Sequence, residues 1–564
     1  MIYFQKSGTI KAQGNTPKPV IYCYLRGDNV DSMIYNPLEE FDKVFKNLHS
    51  DNTAKYFEEL VRQSNVNIEE NRKTVKEYDE LKRNISKSKR RLNLWRFLRV
   101  LMIITLILIP LVIIKITPAI RSLRSKIEQT DKKIEELLGL AQRQMAPLNN
   151  LFTDRDALNI IEETIPMLDF APCLSVDQEA NMIVNYDFKD HNNAEQSTFD
   201  VLAGHYNENP FLFESKLTHR MGTEIYHGYK TIHWTETYRD SDGEIRTRTE
   251  SETLHATVVK PKPYYSTQTI LNYCTLGGPE LSFTRNATHL DKKSDKKIDR
   301  YVKRGEKRLK KMTDKAIKQN KSFTSMSNSN FEVLFDALDR TNEVQFRTLF
   351  TPLAQTNMIG LLRSKSGYGD DFDFIKQSKT NRIISKHSQG RKINLLASAY
   401  FSYSFDIIKE SFISKNTDYF KAVYFDFAPL WAIPMYQERP VHSLQPIPEH
   451  SQKYSHKEYE ALSNKMDPEQ AVHPLTKTKA ILKSSFIKSK GDVDEICISA
   501  YSYDIIPRIE FVPVHGGDGN WHDVLVEWDD YIPLETTKHF FVATSDLAQK
   551  HNIIAERNNL CIFN

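Results

Sequence analysis

Hydrophobic residues form one long, almost uninterrupted segment in this chain, at residues 97–116. The segment reads FLRVLMIITLILIPLVIIKI and carries charge only at Arg99 and Lys115, near its two ends. Twenty residues of α-helix extend about 30 Å, which is the thickness of the hydrocarbon core of a bilayer. A helix within a soluble domain would have to bury this run on every side. The pattern therefore predicts one membrane segment at 97–116.

Heptad-like patterns flank the hydrophobic segment on both sides. Apolar residues recur there at spacings of three, four or seven. Before the segment they are Val61, Ile68, Val75, Tyr78 and Ile85, and after it they are Ile120, Leu123, Ile127, Ile134 and Leu137. Two amphipathic arms of about 25 residues are typical of an antiparallel hairpin within the chain or of a coiled coil between subunits. The second alternative would make the protein a homo-oligomer through its helical arms.

Two topologies are compatible with this membrane segment, because Pro110 can either bend a spanning helix or mark the turn of a re-entrant hairpin. Lysine and arginine are more numerous before the segment than after it, which keeps the N-terminus in the cytoplasm. A single pass would export everything after Ile120, whereas a hairpin would leave both ends in the cytoplasm. We favour the hairpin, with the large C-terminal part on the cytoplasmic side of the cell membrane.

Beyond residue 148 the pattern changes to strands and short helices. Alternating runs at 229–238 and 245–259 flank the turn sequence DSDG, and runs at 509–514 and 524–528 flank a glycine-rich loop, so both regions predict β-hairpins. The apolar stretch 423–436, interrupted by two prolines, predicts a buried strand pair. Overall the sequence predicts an α+β protein, with helical arms around one membrane segment followed by a strand-rich α+β body.

The same patterns divide the 564 residues into seven segments. They are a small N-terminal segment (1–50), the helical arms with the anchor (51–147), a strand-rich domain (148–289), a basic amphipathic helix (290–322), an α+β domain (323–436), a linker or long loop (437–490) and a β-rich C-terminal domain (491–564).

Charge is concentrated in one of these segments. The whole chain has a net charge of only +4, but residues 292–321 contain 14 Lys or Arg against four Asp or Glu. Apolar residues at helical spacing make this strip a basic amphipathic helix, which could contact anionic lipid headgroups at about 1 kcal/mol per well-placed cation. We select Lys303, Arg304, Lys307 and Arg308 as candidate lipid-binding residues. The absence of stacking aromatics and of a base-reading motif argues against nucleic acid, and a solvated linker helix is the remaining alternative.

Candidate catalytic chemistry is confined to the glycine-rich loop of the second hairpin. His515, Asp518, His522 and Asp523 could converge on a divalent cation, or they could be ordinary polar residues of a loop tip. The sequence has no phosphate-binding loop, dinucleotide fingerprint, HExxH, GxSxG or CxxC motif. We therefore predict no cofactor and favour a non-enzymatic, membrane-anchored binding or scaffold protein. The alternative is a membrane-bound, metal-dependent hydrolase that uses the 515–523 loop.

One short region carries a resemblance to a known family. Residues 331–352 read FEVLFDALDRTNEVQFRTLFTP, which resembles a motif of a bacterial membrane-protein family known only as domain of unknown function 3137. Phe331, Phe335, Arg347 and the Thr351-Pro352 pair match the motif, whereas Asn342 stands, one residue late, where the family has Asp. The family also resembles this chain in plan, although it usually has two membrane segments, and the Asn- and Lys-rich composition is similar to that of a mollicute. The resemblance implies no activity.

Overall fold

The computed structural model describes residues 33–104, 117–189, 193–319, 325–365, 368–440, 445, 453–466, 468–491 and 493–543. Helices and two antiparallel sheets build this part of the chain. The predicted α+β class with a strand-rich body is therefore confirmed.

The helices are distributed along the described chain, and polar caps begin several of them; Ser175, for example, forms a capping box with Gln178. In chain order the α-helices are α1 (Pro37–Glu40), α2 (Lys46–Ser64), α3 (Ile68–Ile104), α4 (Thr117–Asn149), α5 (Asp156–Thr164), α6 (Val176–Tyr186), α7 (Asp295–Lys318), α8 (Ser329–Phe335), α9 (Glu343–Leu349), α10 (Pro352–Arg363), α11 (Phe405–Trp431), α12 (His456–Ser463) and α13 (Pro468–Ala471). A π-helical turn, Phe41–Phe45, joins α1 to α2, and short 3-10 helices lie at Leu290–Lys292, Lys386–Ser388, Ala397–Ala399 and Pro434–Gln437.

Both sheets are antiparallel. The larger has seven strands in the order β1-β2-β3-β4-β7-β6-β5, and the smaller has three in the order β10-β9-β8. The strands are β1 (Leu168–Phe170), β2 (Gln196–Tyr206), β3 (Asn209–Arg239), β4 (Ile245–Cys274), β5 (Ser282–Arg285), β6 (Phe372–Gln377), β7 (Thr380–Ser385), β8 (Ile481–Lys490), β9 (Val493–His515) and β10 (Trp521–Ala543).

Two long hairpins, β3–β4 and β9–β10, contain the strand pairs that the sequence predicts. Arg239 pairs with Ile245 across the DSDG turn, and His515 pairs with Trp521 across the glycine-rich loop. The two hairpins pack face to face over a small apolar cluster, whose buried members are Ile232, Leu254, Ala256, Val258, Val524 and Val526. Because side chains alternate along a strand, one face of each hairpin fills this cluster while the other faces solvent.

The main hydrophobic core surrounds helix α11, where the sequence predicted a strand pair at 423–436. That prediction is wrong for 423–431, which form the C-terminal half of α11, and a 3-10 helix follows at Pro434–Gln437. Side chains from Val423 to Trp431 are buried on all sides of the helix, so the sequence shows no helical periodicity there. Pro429 lies in the last turn, and the helix ends two residues later.

The predicted linker at 437–490 contains helix α12, so the prediction of a long exposed loop is wrong for 456–463. Charged residues of this helix are buried against charges of the body: Lys457 Nζ lies 3.1 Å from Glu214 Oε1, and Lys483 Nζ lies 2.5 Å from Glu460 Oε1. Burial alone would raise the pKa of Glu214, but Lys457 and Lys216 lower it to about 2. Residues 441–444, 446–452 and 467 lie outside the described residues.

The N-terminal part of the described chain packs against residues that come almost 400 positions later. The Ile34 backbone N–H donates to Gln437 Oε1 at 2.7 Å, and Gln437 Nε2 donates back to the Ile34 carbonyl at 2.8 Å. Phe41 and Phe45 pack against the Tyr424 ring of α11. The core therefore joins the N-terminal helices to α11 and to the 3-10 helix that follows it.

Candidate functional site

Helices α3 and α4 pack against each other as an antiparallel pair. Near the body, Asn71 Nδ2 donates to Gln144 Oε1 at 3.3 Å, and farther along, Lys89 Nζ lies 3.1 Å from Asp131 Oδ1. The same register places Ile104, the last described residue of α3, at the same end of the pair as Thr117, the first residue of α4. This end is called the far end below.

The opposite end of the pair is fixed to the body at the start of α11. Arg72 Nη2 lies 2.9 Å from Asp406 Oδ1, and Asn71 Nδ2 also donates to the Tyr403 carbonyl at 3.0 Å. The Tyr78 ring packs edge-on against the Tyr403 ring, with centroids 5.4 Å apart. Within the described residues, 83–98 and 118–138 form no hydrogen bond or ion pair with the body. The far end is therefore separated from the body by several helical turns.

The predicted membrane segment begins at this far end. Its first eight residues, 97–104, are the last two turns of α3, and the rest of it, 105–116, lies outside the described residues. Leu94 and Phe97 are 57% and 64% exposed, although both are apolar. Among the residues that the structure does describe, no helix combines the length and the apolar character needed to cross a bilayer.

Helix α7 is the basic amphipathic helix that the sequence predicts. Its apolar side is packed on the body through Ile298, Val302 and Leu309, and the helix approaches α8 so closely that a Cβ at Gly305 would lie 2.3 Å from Val333 Cγ1. The residues of α7 whose positions along the helix place them on the opposite face are charged. This packing fixes which residues of the helix reach solvent.

All four candidate lipid-binding residues lie on the solvent side of α7. Lys303, Arg304, Lys307 and Arg308 are exposed, and Arg308 pairs with Asp336 of the body. In the described part of the chain, the other three have no carboxylate at ion-pair distance. Further cations are exposed along the same helix, at Lys296, Lys297, Arg300, Lys310, Lys311, Lys315 and Lys318. The exposed side of α7 is therefore strongly positive.

The glycine-rich loop of the β9–β10 hairpin rests on the β3–β4 hairpin. The Gly517 backbone N–H donates to Glu252 Oε2 at 2.7 Å. A Cβ at Gly516 would lie 2.6 Å from Ile232 Cδ1, and one at Gly517 would lie 3.0 Å from the Trp234 ring. The glycines permit this close approach, so their presence has a packing reason.

The four candidate metal ligands of this loop do not converge on one point. His522 Nε2 lies 2.9 Å from Asp518 Oδ1, and hydrogen bonds from Asn520 and His522 lower the pKa of Asp518 to about 2. His515 instead packs edge-on against the Trp521 ring, and Asp523 follows His522 directly on β10, so its side chain points to the opposite face. Nowhere in the described ranges do three or more His, Cys, Asp or Glu side chains form a group that could hold a metal ion. This arrangement favours the polar-loop interpretation.

One polar cluster has no counterpart in the sequence predictions. His387 Nδ1 lies 2.7 Å from Asp371 Oδ2 and Nε2 lies 3.2 Å from Asp426 Oδ1, while Ser388 Oγ donates to Asp426 and the Tyr368 ring stacks on the imidazole. Burial would lower the pKa of His387, but hydrogen bonds to both carboxylates raise it to about 9. The imidazole is therefore charged at neutral pH and is not available as a base. No short motif marks these residues, because three separate segments, 368–371, 387–388 and the end of α11 with Asp426, contribute them.

The residues that carry the family resemblance have structural roles. Phe331 and Phe335 are buried one helical turn apart with ring centroids separated by 5.2 Å, and Thr351 caps α10, which begins at Pro352. Arg347 Nη2 donates to the Ser325 carbonyl at 3.4 Å. Comparisons with family models, curated proteins and solved structures found no match. The resemblance therefore stays a prediction.

Proposed function

We propose that this chain is a membrane-anchored binding or scaffold protein, in which the α3–α4 pair carries the anchor and holds the body near the bilayer. The observation that carries the proposal is the antiparallel register of the pair, which puts the start of the hydrophobic segment at an end remote from the body. The last described residue of the segment, Ile104, and the residue that follows the segment, Thr117, lie at that same end. This supports the hairpin topology over a single pass, with both chain ends on the cytoplasmic side, where the basic residues favour them.

Helix α7 provides a second contact with the membrane in this proposal. Its apolar side is occupied by the body, so its cations attract anionic headgroups without insertion of the helix. Each cation near an anionic surface contributes about 1 kcal/mol, and the attraction weakens as salt increases. We place the binding-protein interpretation ahead of the hydrolase because His515 and Asp523 lie apart from the Asp518–His522 pair.

Alkaline carbonate extraction of membranes tests the anchor. We expect the full-length chain to stay in the pellet and the double variant Leu108→Asp, Ile113→Asp to move to the soluble fraction, because each central charge costs about 2.5–3.5 kcal/mol of insertion free energy. Leu140→Asp is the matched control, since Leu140 is an exposed apolar residue of α4 outside the segment. Release of the unmodified chain by carbonate would refute membrane anchoring.

A vesicle-binding experiment tests helix α7 separately. In the background of the double variant, we expect Lys303→Gln, Arg304→Gln, Lys307→Gln and Arg308→Gln together to weaken binding to phosphatidylserine-containing vesicles at least tenfold, at about 1 kcal/mol per cation. The control removes four exposed cations elsewhere, at Arg239, Lys409, Lys479 and Lys490. Equal losses in the two quadruple variants would mean that α7 is only a solvated helix.

A further inference from the structure

The charge of the α3–α4 pair changes along its length. By the register that places Lys89 beside Asp131, the part nearer the body comprises 68–92 and 128–149 and contains nine Asp or Glu and 12 Lys or Arg. The remaining part, 93–127, which passes through the far end, contains six Lys or Arg and no Asp or Glu. Ordinary exposed helices mix both signs because ion pairs three or four residues apart stabilise them. The part of the pair at the far end has no acidic residue and therefore lacks ion pairs of this kind.

The antiparallel register brings the cations of both helices to the same level. Because Lys89 lies beside Asp131, Arg96 of α3 is level with Arg124 of α4. Arg90, Arg91 and Arg121 are nearby along the same two helices. We call these five residues, Arg90, Arg91, Arg96, Arg121 and Arg124, the cationic collar. All five are exposed, and none has an ion-pair partner within the described ranges.

This placement is electrostatically unfavourable for the chain alone. The collar concentrates like charges at one end of the pair, which raises the energy of the folded pair at low salt. An anion supplied from outside would reduce this repulsion between like charges.

The exposed apolar side chains beside the collar indicate which kind of anion would bind there. Leu94 and Phe97 are largely exposed in the same turns as Arg91 and Arg96, so apolar and cationic side chains alternate around the far end. A free phosphate or a nucleic-acid backbone would satisfy the arginines but leave these apolar side chains in water. A lipid leaflet satisfies both, because its phosphates lie directly above its acyl chains.

We infer that the cationic collar binds the phosphate groups of an anionic lipid leaflet, with Arg96, Arg121 and Arg124 at headgroup level. The inference rests on the proposed membrane anchoring and adds the class of lipid and the depth of the helix pair. Arginine suits this role because its planar guanidinium donates two parallel hydrogen bonds to one phosphate. The collar therefore limits how deeply the helix pair enters the bilayer, because burial of its charged side chains in the acyl region is energetically costly.

Flotation of the purified full-length protein with vesicles tests the collar. The variant replaces Arg91, Arg96, Arg121 and Arg124 by Gln, which keeps a good helix former at each position. We expect it to lose at least tenfold in partitioning to phosphatidylserine-containing vesicles and to match the unmodified protein on pure phosphatidylcholine vesicles. The control is the quadruple variant at Arg239, Lys409, Lys479 and Lys490, which we expect to behave like the unmodified protein on both.

The outcomes of this experiment distinguish failure of the collar inference from failure of the proposed membrane anchoring. Equal flotation of the collar variant and the unmodified protein with anionic vesicles would overturn the inference and leave the proposed anchoring intact. Failure of the unmodified protein to float with either vesicle would overturn both. Complete competition by inorganic phosphate, or tighter binding to a DNA duplex than to anionic vesicles, would show that the collar recognises phosphate without the leaflet and would also overturn the inference.

Discussion

Gly228 of β3 controls how closely the two long hairpins approach each other. A Cβ at this position would lie 2.1 Å from the Leu525 carbonyl oxygen and 2.8 Å from Val526 Cγ2. The first of these neighbours is backbone of β10, so it cannot rotate away. Gly228→Ala therefore requires the strands to separate by roughly 1 Å to reach normal van der Waals distance.

The cost follows from the packing between the hairpins. Overpacking of this kind costs about 1–3 kcal/mol, and alanine recovers about 0.5–1 kcal/mol relative to glycine within a strand. The net effect is a loss of about 1–2 kcal/mol of the free energy that holds the two hairpins together, because the apolar cluster that includes Ile232, Leu254 and Val524 packs less closely. Because every 1.4 kcal/mol is a factor of ten, local opening of the β9–β10 hairpin should become roughly 5–30 times more frequent.

Amide hydrogen exchange read by mass spectrometry measures this opening directly. We expect faster exchange in residues 509–528 of Gly228→Ala, while exchange in helix α11 stays unchanged. Gly222→Ala is the matched control on the same strand, because the nearest neighbours of its Cβ, at 2.8 Å, would be atoms of the half-exposed Tyr264 ring, which can move, and the backbone is no closer than 3.9 Å. Unchanged exchange at 509–528, or the same acceleration in Gly222→Ala, would refute this account of hairpin packing.

Two further predictions concern the body and the helix pair. The folded pKa of His387, about 9, exceeds its ordinary value of 6.5, so its stabilisation is fully present below pH 6.5 and is lost as the pH rises through 9. Scanning fluorimetry should therefore show a larger fall of Tm over that range for the unmodified protein than for His387→Gln, and parallel curves would contradict the charge assignment. A Cβ at Gly139 of α4 would meet no atom within 4 Å, so Gly139→Ala should stabilise the pair by about 0.5–1 kcal/mol. Slower amide exchange in α4 is the expected signal, and faster exchange would show a clash that the structure does not contain.

The sequence predicts best where local pattern and turn chemistry agree. Alternation around the DSDG turn and around the glycine-rich loop located both long hairpins, and apolar spacing located helix α7. Periodicity could not show that the two hairpins face each other, because that contact depends on Gly228 and on residues almost 300 positions apart.

Two segments were assigned wrongly for opposite physical reasons. The 423–431 part of α11 is mostly apolar, is buried on all sides and contains Pro429, so its composition resembled that of a buried strand. Helix α12 is rich in charge, so composition resembled an exposed loop, yet Lys457 and Glu460 are buried with partners on β3 and β8. The sequence alone does not show that these charged residues have buried partners on other elements. For the same reason, the sequence left two alternatives for the four polar residues of the 515–523 loop, a metal site or a polar loop tip, because it does not give their faces on the strands.

The bonds between Ile34 and Gln437 also determine the order in which the chain can fold. These residues are separated by 403 positions, and ribosomes add roughly 5–20 residues per second, so Ile34 waits roughly 20–80 s for its partner. Phe41 and Phe45 need the Tyr424 ring and wait almost as long, with two large aromatic surfaces unburied. Helices α1 and α2 are therefore synthesised long before their partners in α11, and during that interval Phe41 and Phe45 are open to aggregation or chaperone binding.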